Sequence, residues 1–327
     1  MMRKISVIAG GAGFIGVNLA NRLLSEDRLI VIIDNMSRGS ESNVVNFIDP
    51  HFKNFCVIKA DCSVRENMCE AFLSISRMGE IEEVWHLAAN SDIPAGVNNS
   101  DVDFIDTFLT THQLLHAMKK FSVLNLNFAS SSAVYGDLGD QPLHENIGPL
   151  LPISNYGAMK LASEGLASAA AESFLSRINL FRFPNVVGAP ATHGVILDFI
   201  NKLKVTPDNL NVLGNGSQQK SYLHVSDLIS AMLTIRNTEF INNKRQYFNI
   251  GPLDDGVTVR WIAEQVIARV NPKANITFGV EDRGWVGDVP KFNYKTKKIQ
   301  ALGWAPSLDS AKAIKRAINE IASQLGV

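Results

Sequence analysis

Residues 5–24 read ISVIAGGAGFIGVNLANRLL, where a short apolar run leads into a glycine-rich turn and then into apolar residues at helical spacing. The turn satisfies GxGxxG over residues 11–16 and GxxGxxG over residues 10–16. Glycine tolerates so tight a turn and lets a pyrophosphate approach backbone N–H groups at the positive end of the following helix. The segment therefore predicts a strand, a phosphate-binding turn and a helix. The candidate dinucleotide contacts in this turn are Gly10, Gly13, Phe14, Ile15 and Gly16.

Asp34 follows a second apolar run, residues 29–33, at the point where that predicted strand ends. A carboxylate there can accept hydrogen bonds from both hydroxyls of the adenosine ribose and repels a 2′-phosphate. This favours NAD over NADP as the dinucleotide, although Arg38 weakens the preference. The alternative is that Asp34 is only a turn residue after a strand. Asn35 is a candidate cofactor contact together with Asp34.

Strand and helix patterns alternate through the first part of the chain. Continuous apolar runs, typical of strands buried on both faces, lie at residues 5–9, 29–33 and 55–58, and further strand runs lie at residues 83–87, 123–129 and 179–183. Helical spacing is clearest at residues 101–120 and 158–174. This order predicts an α/β fold with a Rossmann-type, doubly wound parallel sheet.

The pattern changes after Pro184, where stretches that contain Gly, Asn and Pro replace the regular alternation. We therefore expect a second, smaller α/β domain that binds the substrate. The helical pattern at residues 225–237 is regular enough to rejoin the first domain. The predicted boundaries are 1–185 with 222–250 for the dinucleotide-binding domain, and 186–221 with 251–327 for the substrate domain.

The chain has 327 residues, 46% of them hydrophobic and 19% charged, which is typical of a folded protein rather than a disordered one. With 31 Lys and Arg against 32 Asp and Glu, no global positive charge attracts nucleic acid or an anionic membrane. No apolar run is long enough to span a membrane, and the N-terminal run is too short for a signal peptide. The cysteines lack disulfide or zinc spacing, and His112 and His116 lack a clear third ligand. We expect a cytoplasmic protein without a metal.

Tyr156 and Lys160 lie four residues apart at the start of a predicted helix, so they share one helix face. A phenol has a reference pKa of about 10, but a nearby ammonium and an oxidised, positively charged nicotinamide both favour the phenolate. The pair can then act as an acid and base near neutral pH. The alternative is an exposed pair that has no chemical role.

Five motifs follow one another in the order found in the extended short-chain dehydrogenases/reductases. They are the glycine turn, residues 86–89 (HLAA), residues 130–136 (SSSAVYG), Tyr156-x-x-x-Lys160 and residues 182–188 (RFPNVVG). With these motifs the chain resembles the nucleotide-sugar epimerases and dehydratases, a family related to UDP-galactose 4-epimerase, over nearly its whole length. The resemblance implies an NAD-dependent enzyme for a nucleotide sugar, with a UDP-sugar favoured. It also implies a homodimer through the helix at 101–120 and the Tyr–Lys helix.

The resemblance further implies roles for individual residues. Ser131 would hydrogen-bond the reacting sugar oxygen beside Tyr156, and Lys160 would bind the nicotinamide ribose. The further cofactor contacts that it implies are Asp61, Cys62, Leu87, Ala88 and Ala89. The substrate contacts are Ser131, Ser132 and Asn185, with Lys220 and Arg283 as candidates for the diphosphate charge.

Ser132 and Ala133 depart from the sugar dehydratases, which carry Asp-Glu directly after the residue that matches Ser131. The chain therefore lacks the acid and the base that those enzymes use to eliminate water. Ala133 also argues against a UDP-glucuronate decarboxylase, because such enzymes typically have Glu at this position. Lys220 stands where epimerases usually have Arg. The diphosphate would therefore meet a single ammonium group instead of a guanidinium, which can form two parallel hydrogen bonds. We expect epimerisation at C4 through a 4-keto intermediate. The alternatives are a nucleotide-sugar 4-ketoreductase, a dehydratase that uses other acids, and a non-catalytic dinucleotide-binding regulator.

Overall fold

The computed structural model describes residues 3–139, 141–241, 243–281 and 293–327. The chain divides into two compact units. The first unit contains Met1–Gly136, Leu150–Arg182 and Met232–Phe248. The second unit contains Asp137–Pro149, Phe183–Ala231 and Asn249–Val327.

The elements are numbered in chain order. The strands are β1 (Lys4–Ala9), β2 (Leu29–Asp34), β3 (Phe55–Lys59), β4 (Glu80–His86), β5 (Asn125–Ala129), β6 (Pro142–Leu143), β7 (Arg177–Arg182), β8 (Asn185–Val187), β9 (Asn209–Val212), β10 (Gln219–Lys220), β11 (Tyr222–His224), β12 (Arg245–Asn249), β13 (Val257–Thr258), β14 (Asn275–Phe278) and β15 (Asn293–Tyr294). The α-helices are α1 (Phe14–Leu23), α2 (Glu41–Phe47), α3 (Arg65–Ser76), α4 (Ile93–Asn98), α5 (Ser100–Asp103), α6 (Thr110–Lys120), α7 (Asn155–Ser173), α8 (Val195–Val205), α9 (Val225–Asn237), α10 (Val259–Val270), α11 (Lys297–Gln300) and α12 (Ser310–Gln324). A π-helical segment covers Phe104–Leu109, and a 3₁₀ turn covers Ser132–Tyr135.

The first unit is organised around one sheet, whose described strands have the order β12-β7-β5-β4-β1-β2-β3. Pairing is parallel from β3 through β2, β1, β4 and β5 to β7. Every residue of β2 is buried, as expected for a parallel strand covered on both faces. The Rossmann-type α/β fold predicted from the sequence is confirmed. Because the strands are parallel, their carboxyl ends share one edge, and the loops after them form the crevice in which such folds bind ligands.

The region predicted as one helix over residues 101–120 is divided into α5, a π-helical segment and α6. Two hydroxyls explain the irregular turn, since Thr110 Oγ1 and Thr111 Oγ1 each donate to the Thr107 carbonyl at 3.0 Å. Such back-bonding competes with the regular backbone ladder. The apolar spacing predicted a helical region here, but it contains no signal for the extra residue that a π-turn accommodates.

The second unit has its own core, built where α8, α10 and α12 pack together. Helix α12 contributes one face to this core, including Ile314, Ile318 and Ile321, which are all buried. Short parallel ladders join β8 to β11 and β9 to β14. Among the described residues, no helix combines the length and the apolar character needed to cross a membrane.

Candidate active site

Three of the four glycines in the turn after β1 show different structural reasons to be glycine. Gly10 has φ +79°, and a Cβ built on it would lie 2.5 Å from the backbone nitrogen of Ala88. A Cβ on Gly16 would lie 2.5 Å from the Cα of Gly11. At Gly13, by contrast, the nearest atom is 3.5 Å away, which is ordinary contact. Gly10 and Gly16 therefore allow parts of the chain to pack closely, whereas Gly13 leaves space for a ligand to approach.

Gly13 is also the N-cap of α1, and no side chain caps the helix there. The first amides of an α-helix have no acceptor within the helix, and they lie at the positive end of its dipole. Phe14, Ile15 and Gly16 form this first turn. An anion such as a pyrophosphate fits this arrangement, because it can accept hydrogen bonds where no protein side chain does.

Asp34 lies beside the turn, at the end of β2. Its Oδ2 accepts a hydrogen bond from the Ala12 amide at 3.0 Å, and its Oδ1 accepts one from the Met36 amide at 2.8 Å. Burial raises the pKa of Asp34 above its ordinary value, against the opposing effect of these two bonds. Each carboxylate oxygen has a second lone pair, so the group retains acceptor capacity for ribose hydroxyls.

The other predicted adenosine contacts gather near Asp34. Asn35 Nδ2 donates to Asp61 Oδ2 at 3.4 Å. Burial raises the pKa of Asp61, but hydrogen bonds from Ser63 and Asn35 outweigh it and lower the pKa below the usual value. The Cys62 side chain is buried in the core of the unit, and burial, with the charges of Asp34 and Asp61, raises the pKa of its thiol to about 12. Only the backbone of Cys62 is therefore a plausible ligand contact.

The loop after β4 carries Leu87, Ala88 and Ala89. The amides of Leu87 and Ala88 both donate to the Ala9 carbonyl, at 2.8 and 2.9 Å. This anchors the loop against the end of β1, where Ala88 meets Gly10. The structure thus brings the glycine turn and this predicted cofactor-lining segment together.

The predicted catalytic residues also meet in the first unit. Ser131 lies just after β5 and precedes the 3₁₀ turn, whose Ala133 amide donates to the Ser131 hydroxyl at 3.1 Å. Tyr156 lies in the first turn of α7, which begins after the Ser154 N-cap. A hydrogen bond links the side chains of Tyr156 and Ser131. Lys160 Nζ lies 5.8 Å from the centre of the Tyr156 ring.

In the chain without a cofactor, the pKa values of Tyr156 and Lys160 do not by themselves favour the phenolate that the sequence-based hypothesis requires. Burial raises the pKa of Tyr156 to about 12, opposed by the Ser131 hydrogen bond and assisted by the Asp103 charge. Burial lowers the pKa of Lys160 to about 7, although the carboxylates of Glu164 and Asp103 act in the opposite direction. The chain alone therefore holds Tyr156 as a phenol, so a further positive charge beside the ring is needed to make it a base near neutral pH.

Two buried groups near the pair were not recognised as part of the site. His86 hydrogen-bonds Thr111 Oγ1 at 2.9 Å through Nε2, while its buried Nδ1 makes no hydrogen bond, so its ring is only partly satisfied. Burial, with the charge of Lys160, lowers the pKa of His86 to about 3, so its ring is neutral. Asp103 Oδ1 accepts a hydrogen bond from Asn90 Nδ2 at 2.9 Å, and Oδ2 occupies the space that a Cβ on Gly96 would need. The sequence does not single out Asp103, which lies between two other acidic residues of the same helical stretch, Asp101 and Asp106.

The remaining predicted substrate contacts are distributed differently. Ser132 is buried within the 3₁₀ turn. Asn185 and Lys220 lie in the second unit, where Asn185 pairs with Tyr222, two residues after Lys220. Arg283 lies outside the described residues. Within the described ranges, no cluster of three or more His, Cys, Asp or Glu side chains could hold a metal ion.

Comparisons with known proteins agree with this geometry. The family model for the "NAD dependent epimerase/dehydratase family" matches residues 6–251. A putative UDP-glucose 4-epimerase from Methanocaldococcus jannaschii is 27% identical, over 96% of this chain and 97% of that protein. UDP-glucuronic acid decarboxylase 2 from Arabidopsis thaliana is also 27% identical, over 92% of this chain and 64% of that protein. A crystal structure of UDP-galactose 4-epimerase matches 98% of this chain and 99% of its own, with a TM-score of 0.81 and 30% identity.

Proposed function

Because the chain belongs to the NAD dependent epimerase/dehydratase family, with NAD as its cofactor, we propose that it inverts C4 of a nucleotide-linked hexose through a 4-keto intermediate. The observation that supports the proposal is the meeting of Ser131, Tyr156 and Lys160 in the first unit, which also contains the glycine turn proposed to bind the dinucleotide. The similarity to UDP-glucose and UDP-galactose 4-epimerases supports a UDP-hexose as the substrate.

The chain's own residues can supply the proton transfers of this reaction. Ser131 would donate its hydrogen bond to the C4 oxygen, and Tyr156 would take the C4 hydroxyl proton and later return it. When bound, NAD would supply the hydride acceptor and donor for C4, and its oxidised form would add positive charge near Tyr156. Lys160 would hold the nicotinamide ribose and keep a cation beside the phenolate.

Positions 132 and 133 argue against elimination and decarboxylation. They hold a buried Ser and an Ala, so neither supplies a carboxyl group beside Ser131. Asp103 is the nearby carboxyl group that acts on both Tyr156 and Lys160. Its oxygens are directed to Asn90 and to the Gly96 backbone, which leaves them poorly placed to serve a sugar.

We propose further that Asn185, Lys220 and Arg283 bind the sugar diphosphate from the second domain, and that the protein is a cytoplasmic homodimer. The π-helical segment supports a dimer, because Phe104 and Ile105 are 47% and 41% exposed there. Exposed apolar side chains at neighbouring positions favour a protein contact. Light scattering coupled to gel filtration tests the dimer, which would double the mass of the 35.8 kDa chain.

Product analysis tests the proposed reaction directly. The purified protein is incubated with NAD and with UDP-glucose, UDP-galactose, UDP-glucuronate, and the glucose conjugates of dTDP, GDP and CDP. Epimerisation gives a product of unchanged mass with an inverted C4 signal in NMR. Loss of carbon dioxide or loss of water would instead indicate a decarboxylase or a dehydratase. In a parallel incubation with NADH and a nucleotide-linked 4-keto sugar, a gain of two hydrogens with net use of NADH would indicate a ketoreductase. Binding of NAD without conversion of any sugar would indicate a regulator.

A further inference from the structure

A fully buried ion pair joins Glu164 of α7 to Arg182 at the end of β7. Arg182 Nε lies 2.9 Å from Glu164 Oε1, and Arg182 Nη2 lies 2.6 Å from Glu164 Oε2, so the contact is bidentate. Both side chains are less than a tenth exposed. A pair this deeply buried is weak evidence for stability, because desolvation offsets most of the attraction. Its presence next to the site therefore calls for another explanation.

Two further contacts of the pair lead to the segment that carries Ser131. Ser130 Oγ donates to Glu164 Oε1 at 2.5 Å, and Arg182 Nη1 donates to the Tyr135 hydroxyl at 3.1 Å. Ser130 immediately precedes Ser131 in the chain, and Tyr135 is the last residue of the 3₁₀ turn that follows Ser131. The pair thus holds this segment at both ends.

The same pair acts on Lys160, which lies one helical turn before Glu164 on α7. Lys160 Nζ donates to the carbonyl of Ala129, the residue before Ser130, at 2.7 Å. The charged and titratable groups that face Lys160 are Glu164 and Tyr156 on α7, Asp103 on α5 and His86 on β4. His86 is neutral, as shown above, and Tyr156 is held as a phenol. Glu164 and Asp103 are therefore the anions that favour the ammonium, Glu164 more strongly.

We propose that Glu164 and Arg182 are positioning residues, which fix the Ser130–Tyr135 segment against α7 and keep the Lys160 ammonium charged beside Tyr156. This inference rests on the proposed function and adds to it a requirement for a carboxylate four residues after Lys160. Arg182 holds that carboxylate in place through the bidentate contact. Neither residue is proposed to touch the cofactor or the substrate.

Two variants and a matched control separate this role from a structural one. Glu164→Gln keeps an acceptor for Ser130 and Arg182 but removes the negative charge. Glu164→Gln with Arg182→Met removes both charges, which avoids leaving a cation buried alone. The control is Glu172→Gln with Arg245→Met, because Glu172 lies on the same helix and forms a 2.6 Å ion pair with Arg245, but is 70% exposed.

The first measurement is independent of activity. Lysine labelled with 13C at Cε is titrated by NMR in the NAD-loaded protein, and the Lys160 signal is assigned from its loss in Lys160→Arg. We expect the titration midpoint of Lys160 to fall by about one pH unit or more in both Glu164 variants, because a nearby negative charge that favours the ammonium has been removed. The control pair should leave it unchanged. An unchanged midpoint in a folded Glu164 variant overturns the proposal.

The second measurement is the kinetic profile on whichever nucleotide sugar the unsubstituted protein converts. In both Glu164 variants we expect kcat at pH 7 to fall about tenfold or more, with little change in KM. The reason is that the groups acting in the transition state would be misplaced, while those that bind the substrate would not. If the Glu164 variants have the same kcat and the same pH profile as the Glu172–Arg245 control, the proposal is contradicted. If the unsubstituted protein converts no sugar, the proposed function fails, while the Lys160 titration still decides whether Glu164 acts on that ammonium.

Discussion

Arg38 Nη2 lies 3.0 Å from Asp92 Oδ2, and this ion pair joins the loop after β2 to the loop after β4. Strand β1 lies between β2 and β4 in the sheet, so the pair crosses the edge where the glycine turn follows β1. The two loops therefore flank the turn at which we propose that the dinucleotide binds. The contact also engages the charge of Arg38, the residue that weakened the preference for NAD over NADP.

We expect Arg38→Gln to speed NAD release by up to about fivefold, since an exposed ion pair contributes roughly 0.2–1 kcal/mol. The effect should be larger at low salt than at high salt, because exposed charges are screened. Stopped-flow displacement of bound NADH measures the release rate. The charge swap Arg38→Asp with Asp92→Arg should restore slow release, and a release rate in Arg38→Gln equal to that of the unsubstituted protein contradicts the prediction.

Tyr156→Phe should lower kcat by roughly 10²-fold or more, the scale of general acid–base assistance. The substitution removes one hydroxyl and keeps the ring, so NAD should bind as before. Calorimetry measures the affinity for NAD, and NMR of the product measures the rate. Turnover close to that of the unsubstituted protein would reject Tyr156 as the base.

Lys160→Met should raise the thermal midpoint of unfolding while abolishing activity. Burial lowers the pKa of Lys160 from 10.5 to about 7, so between these values the unfolded chain binds a proton that the folded chain does not. Lys160 therefore destabilises the fold most at and below pH 7, and this cost shrinks as the pH rises towards 10.5. Scanning calorimetry at pH 6.5 and pH 9.5 checks the sign. A gain that is larger at the higher pH is incompatible with the assigned cause.

Most of the sheet was accessible from the sequence, because parallel strands buried on both faces leave long apolar runs. The runs at 29–33 and 55–58 fall within β2 and β3, and the helical pattern at 225–237 has the bounds of α9. The predicted run at residues 83–87 covered only the second half of β4, since the first residues of β4 include the charged Glu80 and Glu82. Those residues lie towards the amino edge of the sheet, where charged side chains are tolerated.

The candidate site was less accessible, since sequence motifs identify the residues that touch ligands better than those that support them. Glu164 and Arg182 meet only because α7 packs beside β7, a contact that spacing along the chain does not encode. Asp103 gave little signal for the same reason. The sequence also gave no sign that burial of the ring raises the pKa of Tyr156, because that effect depends on the packed structure.

Glu83 supports a second prediction about stability, at the amino edge of the sheet. Its carboxylate receives Arg28 at 2.9 Å and Arg236 at 3.0 Å, and Asn127 donates to it at 3.1 Å. Glu83→Ala removes the shared acceptor and should cost about 3–5 kcal/mol, as for one partner of a buried ion pair. Urea unfolding measures the loss. Glu80→Ala on the same strand, where the side chain is exposed, should change stability by less than about 0.5 kcal/mol.

The glycine turn allows folding and cofactor binding to be separated by the same substitution at two positions. Gly10→Ala places a Cβ 2.5 Å from the Ala88 nitrogen and forces a residue with φ +79° into strain, so the variant should lose stability even before NAD is added. Gly13→Ala meets its nearest atom at 3.5 Å, so the free protein should unfold at the normal temperature. Its methyl group would nevertheless lie at the N-cap of α1, next to the first amides of the helix, where we propose that the pyrophosphate binds. We therefore expect the Kd for NAD to rise at least about tenfold, equivalent to about 1.4 kcal/mol, as measured by calorimetry. Tight NAD binding by Gly13→Ala would mean that the dinucleotide does not approach the helix at this residue.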